Sequence, residues 1–289
     1  MNMTMRHLSY PAGRSPDEAS SALSPARDSI CVGLPSRAPA LPAHLAALRD
    51  GLRPGRPTGG ILPFDDPRVD GCLPGGGLPL GQLHEIAASG LDAETGALSA
   101  GFIAGLLTRI APGKPVFWIA PSSDLHPRGL LPYGFDPNRL MMARPDKDAD
   151  TLAAMEVALR EGAAAAVVGE VGQFDRLASR RLQLACLRHG TTGFVLRRWP
   201  HGHKGADREA TVAITRWLIA PVPSVQDGKE PGLPRWHVAL THARGGRPGE
   251  WIMEASDNAT HPLRVVAALA DHAPGPQRFR LAGQAAGYG

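Results

Sequence analysis

Thr95, Gly96 and Ser99 lie where this chain comes nearest to a nucleotide-binding loop. Such a loop reads G-x-x-x-x-G-K-[ST] and joins a strand to a helix. Its glycines let backbone N–H groups close on the phosphates, its lysine pairs with them, and its hydroxyl reaches magnesium. Here the stretch is Gly90-Leu-Asp-Ala-Glu-Thr-Gly96, with five residues between the glycines where the pattern has four. Ala97 stands in the lysine position and Leu98 in that of the hydroxyl. Asp92 and Glu94 put carboxylates where phosphate charge would lie. Each such contact is repulsive by about 1 kcal/mol at ~4 Å in water, and by more in a sheltered loop. The same acids suit the positive end of a helix dipole. Thr95 and Ser99 remain as hydroxyls able to hold a metal-bound water. The expectation is no resident cofactor and no metal site, with weak ATP and magnesium binding through backbone N–H groups as the most this loop offers.

A second carboxylate bears on the same chemistry. A hydrophobic strand in phosphoryl-transfer proteins normally ends in an acid that holds the magnesium shell. The apolar run from Ala163 to Val168 is followed by Gly169-Glu170, so the acid comes one position late. A solvated glutamate at a strand end is the commoner use of such a residue. No catalytic residue is assigned.

Basic residues form two groups. Arg197-Arg198-Trp199 opens a segment that continues through Lys204 to Arg208, with His201 and His203 inside it. Cations neutralise phosphates and an indole stacks on a base, so this segment suits single-stranded DNA or a protein partner; its plain alternative is a solvated basic loop. Two histidines without a third ligand do not make a metal site. Arg176, Arg180, Arg181 and Arg188 fall on one predicted helix, over 174–189, as a further contact surface. Near the end of the chain, Gln277, Arg278, Phe279 and Leu281 lie in a tail suited to folding on a partner.

The elements that must position these residues alternate. Strands are expected over 82–88, 116–120, 163–169 and 192–196, with helices over 97–110, 151–161 (Asp150 as its N-cap) and 174–189. Residues 126–137 read as a loop and 140–143 as an edge strand. Alternation of this kind predicts a mostly parallel sheet flanked by helices. After residue 208 the pattern turns antiparallel. Strands are expected at 213–219, 236–241 and 250–254, the last two joined by a hairpin at Arg244-Gly-Gly-Arg-Pro-Gly249. Residues 262–269 read as a short helix. The expected organisation is therefore a disordered segment 1–40, a short helix and linker over 41–60, an α/β domain over 61–256, and a short helix with a loose tail over 257–289.

Composition narrows the classes. The 289 residues carry a formal net charge of +4 and 43% hydrophobic residues, which allows a sizeable core and a mildly basic surface. Cys31, Cys72 and Cys186 form no C-x-x-C pair and read as reduced thiols of a cytoplasmic protein. No apolar run approaches the ~18 residues of a membrane helix.

Gly75 to Glu85, GGGLPLGQLHE, combines a glycine-rich turn, an x-Pro-x-Gly step and a strand carrying His-Glu-Ile. With the order of elements over residues 60–255, this run resembles the RecA recombinase core, and within it the ImuA family of damage-induced mutagenesis accessory proteins, which is SulA- and RecA-like. The resemblance implies a place beside an inactive Y-family-like protein, ImuB, and a DnaE-type error-prone polymerase, with RecA and single-stranded DNA as further partners. It also places Ser122 where a RecA-type enzyme has its glutamate base, and Arg197 where it has a nucleotide-sensing glutamine. A serine without an adjacent base does not accept the proton usefully near neutral pH. The expected function is a non-catalytic RecA-like adaptor of translesion synthesis in the SOS response. A divergent DNA-stimulated ATPase using Thr95, Ser99 and Glu170, and a SulA-like cell-division inhibitor, stand as alternatives.

Overall fold

Gly75, Gly76 and Gly81 take left-handed backbone angles, with φ of 75°, 83° and 69°, which explains why the turn before the first long strand is built of glycine. Within it, β1 (Ile61–Leu62) and β2 (Leu78–Pro79) pair antiparallel. The short helix α1 (Pro67–Asp70) lies between them. The computed structural model describes residues 59–89, 92–121, 124–198, 211–225, 232–256 and 261–269, and for 92–95 the backbone alone. The chain divides into two units, Met1–Ala46 and Ala47–Gly289, and every described residue belongs to the second. The expected disordered segment, the 41–52 helix and the tail beyond 269 lie outside the described residues.

From β3 onward the chain alternates as expected. In order come β3 (Leu83–Ala88), α2 (Asp92–Arg109), β4 (Val116–Ile119), β5 (Leu140–Ala143), α3 (Asp148–Glu161), β6 (Ala166–Val171), α4 (Arg176–His189) and β7 (Thr192–Arg197). The antiparallel part follows as β8 (Thr215–Val222), β9 (Arg235–Ala243), β10 (Gly249–Ala255) and β11 (Leu263–Leu269). Together β3 to β11 form a nine-stranded sheet in the order β11-β10-β9-β8-β3-β7-β6-β4-β5. It is parallel from β8 through β3 to β5 and antiparallel from β8 outward to β11.

Each face of the sheet buries its own core. On one side α2 packs with Phe102, Ile103 and Leu107 against Trp118, Phe194, Trp217, Trp236 and Trp251. On the other, Met155 and Leu159 of α3 and Leu182 and Cys186 of α4 cover Val167, Val171 and Val195. Burial pushes the Cys186 thiol up to about 12, which makes it an inert packing group. A methyl group at Gly101 would come within 2.4 Å of the Tyr133 ring, so the glycine lets that ring lie directly on α2. Carbonyls at the end of α2 and in the turn that follows it need partners, and Arg139 supplies them. Its guanidinium donates to Leu107 O, Ile110 O, Ala111 O and Lys114 O at 2.8 to 3.2 Å.

Three local expectations are corrected. Residues 263–269 form a strand, because Arg264, Val265 and their neighbours complete the free edge of β10, and β-branched residues favour that pairing over an isolated turn of helix. Leu263–Leu269 is thereby part of the same nine-stranded sheet as the strands before residue 256. The stretch expected as loop contains a 3-10 helix at Pro127–Tyr133 that packs on α2 through Tyr133. Asp150 is not the cap of α3: the helix starts three residues earlier than expected, after Lys147, and Asp150 sits in its first turn.

Candidate functional site

Strands β3, β7, β6 and β4 run parallel, so their C-terminal ends meet along one edge of the sheet. In open α/β sheets, ligands bind at such an edge. The first turn of α2 enters from β3, so its free N–H groups lie at that edge.

Arg197 ends β7 and Arg198 follows it directly, its N–H still bonded to Val171 O. Successive residues of a strand point to opposite faces, so the pair divides between the two sides of the sheet. Arg198 turns toward α2. Its Nη1 donates to Glu170 Oε2 at 2.8 Å and its Nη2 to Asp124 Oδ2 at 2.6 Å. A methyl group at Gly96 would lie 2.9 Å from Arg198 Nη2, so the guanidinium rests directly against this glycine in the second turn of α2. Glu170 is no solvated strand-end residue. It falls inside β6, its side chain is 2% exposed, and its other oxygen accepts a 2.6 Å hydrogen bond from the Trp118 indole. Both oxygens of this carboxylate are thus engaged by donors.

Arg197 turns toward α4. Its Nη1 pairs with Glu85 Oε1 at 3.2 Å, and its Nη2 donates to Gly172 O at 3.0 Å. Its guanidinium carbon stands 5.9 Å from the centre of the Phe174 ring. Glu85 accepts a second bond, from Thr211 Oγ1 at 2.6 Å. The glutamate of the His-Glu-Ile strand therefore ties down Arg197, two residues before the 199–210 segment, and Thr211, the residue after it. Trp199, Lys204 and Arg208 belong to that segment and lie outside the described residues.

The remaining singled-out residues are scattered. Gly90 lies outside the described residues, and Thr95 is placed only as backbone of α2. Ser99 is fully buried, and its hydroxyl has no hydrogen-bond partner among the described residues, so it faces the interior and not the edge of the sheet. Arg176 and Arg180 are exposed on α4, while Arg181 bonds Glu156 of α3. Gln277, Arg278, Phe279 and Leu281 lie outside the described residues, as does Ser122. Asp124, two residues beyond Ser122 and open in the sequence to reading as an alternative base or as a turn cap, accepts from Arg198. The signal that could have found its partner was the Arg197-Arg198 doublet, since consecutive strand residues cannot both face the same side.

The cluster also has defined chemistry. A guanidinium keeps its proton near neutral pH, and here it serves as a fixed cation between two carboxylates. It holds the β7 end to β6 and to the segment after β4.

A mostly parallel sheet flanked by helices, with a helix following its central strand β3 and an antiparallel extension, defines an open α/β core. The chain belongs to the ImuA family: it is 44% identical over 222 residues to Protein ImuA of Caulobacter vibrioides, in strains NA1000 / CB15N and ATCC 19089 / CB 15 alike. That alignment covers 73% of this chain and 91% of the Caulobacter protein. No family model matches. Among solved structures, the chain is similar to SulA from Pseudomonas aeruginosa at 22% identity and TM-score 0.35, over 40% of this chain and 98% of SulA. It is similar to the RadB recombinase at 14% identity and TM-score 0.48, over 70% of this chain and 98% of RadB.

Proposed function

We propose that this protein is a non-catalytic RecA-like adaptor of damage-induced mutagenesis, supporting error-prone copying past DNA lesions through an ImuB-type partner and, by way of it, a DnaE-type polymerase. The observation that carries this reading is the seat of Arg198. Its guanidinium lies against Gly96 and between Glu170 and Asp124. A magnesium nucleotide does not fit these residues. Ala97 brings no charge to a phosphate, Leu98 brings no hydroxyl, and the acid a metal shell would need is already held by a cation. Displacing Arg198 would strand a buried carboxylate, which is strongly unfavourable. Family membership supports the mutagenesis role, and the basic segment 197–208 supports contact with RecA or single-stranded DNA.

The test is nucleotide binding and hydrolysis by the purified protein with magnesium, with and without single-stranded DNA. The expected result is no binding in the micromolar range and no hydrolysis above a protein-free blank. DNA-stimulated hydrolysis that disappears in a folded Glu170→Gln protein would replace this reading with that of a divergent ATPase.

Partner binding is expected to reside in part in the tail. Truncation after residue 269 removes Gln277, Arg278, Phe279 and Leu281 while leaving β11 in the sheet. Binding to ImuB, followed by co-purification or calorimetry, should weaken while the unfolding midpoint stays unchanged. Full-strength binding by the truncated protein would exclude the tail.

A further inference from the structure

The sequence of α4, RLASRRLQLACLRH, has one face that the fold uses and one that it leaves outside. Ser179, Leu182, Gln183, Ala185 and Cys186 are buried against the sheet. The opposite face carries Leu177, 69% exposed, Leu184, 59% exposed, and Leu187, 36% exposed. These positions are i, i+7 and i+10, so they form one stripe along the helix. Arg180, at i+3, falls within that stripe, Arg176 and Arg188 flank it on either side, and the helix contains no carboxylate. Alongside it, α3 adds Val157, 60% exposed. The two helices are pinned to each other where Glu156 of α3 bonds Arg181 of α4 and, at 3.2 Å, Arg160 of its own helix.

A single exposed leucine is ordinary, and an arginine-rich helix is commonly just a solvated one. Neither explains three leucines in register with cations on both sides, when the core-facing side of the same helix is already complete. An apolar stripe edged by charge of one sign is complementary to a helix with an apolar stripe edged by the other. Single-stranded nucleic acid is a poorer match. Its bases need flat aromatic groups to stack on; α4 has no Phe, Tyr or Trp, and phosphates would leave the leucines uncovered.

We infer that the outer face of α4, centred on Leu177, Leu184 and Arg180, is a docking surface for an acidic amphipathic helix of a partner protein. It deepens the adaptor reading by giving the chemistry of one partner segment. The two fail separately: ATP turnover by the unaltered protein would overturn the adaptor reading and leave this surface standing.

The experiment is fluorescence anisotropy on the full chain with three labelled probes. One is a helical peptide with leucines on one face and glutamates on both sides of them. The second has the same charge with serine in place of leucine, and the third is oligothymidine. The expected result is saturable binding of the leucine–glutamate peptide alone, weakened by about tenfold or more in Leu177→Ser/Leu184→Ser, a loss worth about 1.4 kcal/mol. Arg180→Glu should weaken it as well and flatten its dependence on salt. That single, exposed substitution also serves if the double variant proves unstable by circular dichroism. No saturable binding, equal binding of the serine peptide, or displacement by oligothymidine would each overturn the proposal.

Discussion

Replacing Arg198 by alanine is expected to lower the unfolding free energy by on the order of 3 kcal/mol, the range in which one partner of a buried ion pair is removed. The reason is the burial of Glu170, whose side chain is 2% exposed and which Arg198 meets at 2.8 Å. The bond to Asp124 contributes little to this figure, because that carboxylate is 54% exposed and water screens it. Glu170→Gln keeps the shape and the 2.6 Å bond from Trp118, and removes the charge that needs a counter-ion. The double variant Arg198→Ala/Glu170→Gln should therefore be more stable than Arg198→Ala alone. Urea unfolding of the parent, both single variants and the double variant gives the coupling directly. A cost below about 1 kcal/mol for Arg198→Ala, or strict additivity, would mean that the cluster does not hold this end of the sheet together. Arg198→Ala is not expected to create an ATPase, since Ala97 still supplies no charge to a phosphate.

Acid should destabilise the protein through His84 before the carboxylates titrate. The ring is fully buried on β3, and burial holds its pKa down at about 4, against 6.5 for the free side chain; the bond to Pro79 O opposes this only in part. Its Nε2 donates to Pro79 O at 2.9 Å, so its Nδ1 accepts from the Thr215 hydroxyl at 2.7 Å, and that oxygen accepts from the Trp217 indole at 2.7 Å. Such a chain of bonds suits a neutral ring. The unfolded chain therefore binds the extra proton first. The histidine's contribution to stability is complete above pH 6.5 and is lost as the pH falls toward 4, by up to about 1.4 kcal/mol per pH unit and ~3 kcal/mol in all. His242 acts in the same direction, its pKa lowered by burial and then by Arg216 and Arg244. Urea unfolding between pH 7 and 5 isolates His84 by comparing the parent with His84→Gln. The parent should lose stability more steeply over that range, and parallel curves would refute the assignment.

How much of this was legible beforehand depends on distance along the chain. The alternating strands and helices of the parallel core were readable because period and residue type are local, as was the turn at Arg244–Gly249 between β9 and β10. Local too was the missing lysine, since Ala97 and Leu98 occupy their places whatever the fold does. The 263–269 strand was not local: Ala267 and Ala268 favour a helix by themselves, and only the open edge of β10 makes them a strand. Nor was the pairing of Arg198, whose partners lie 28 and 74 residues away. By itself, then, the sequence determined the fold class and that Ala97 and Leu98, with neither charge nor hydroxyl, follow Gly96. Tertiary structure alone decided that a cation of the chain's own stands against Gly96. The pleat of β7 sends Arg198 to one face and Arg197 to the other, and parallel pairing brings the ends of β6 and β7 together with the segment after β4.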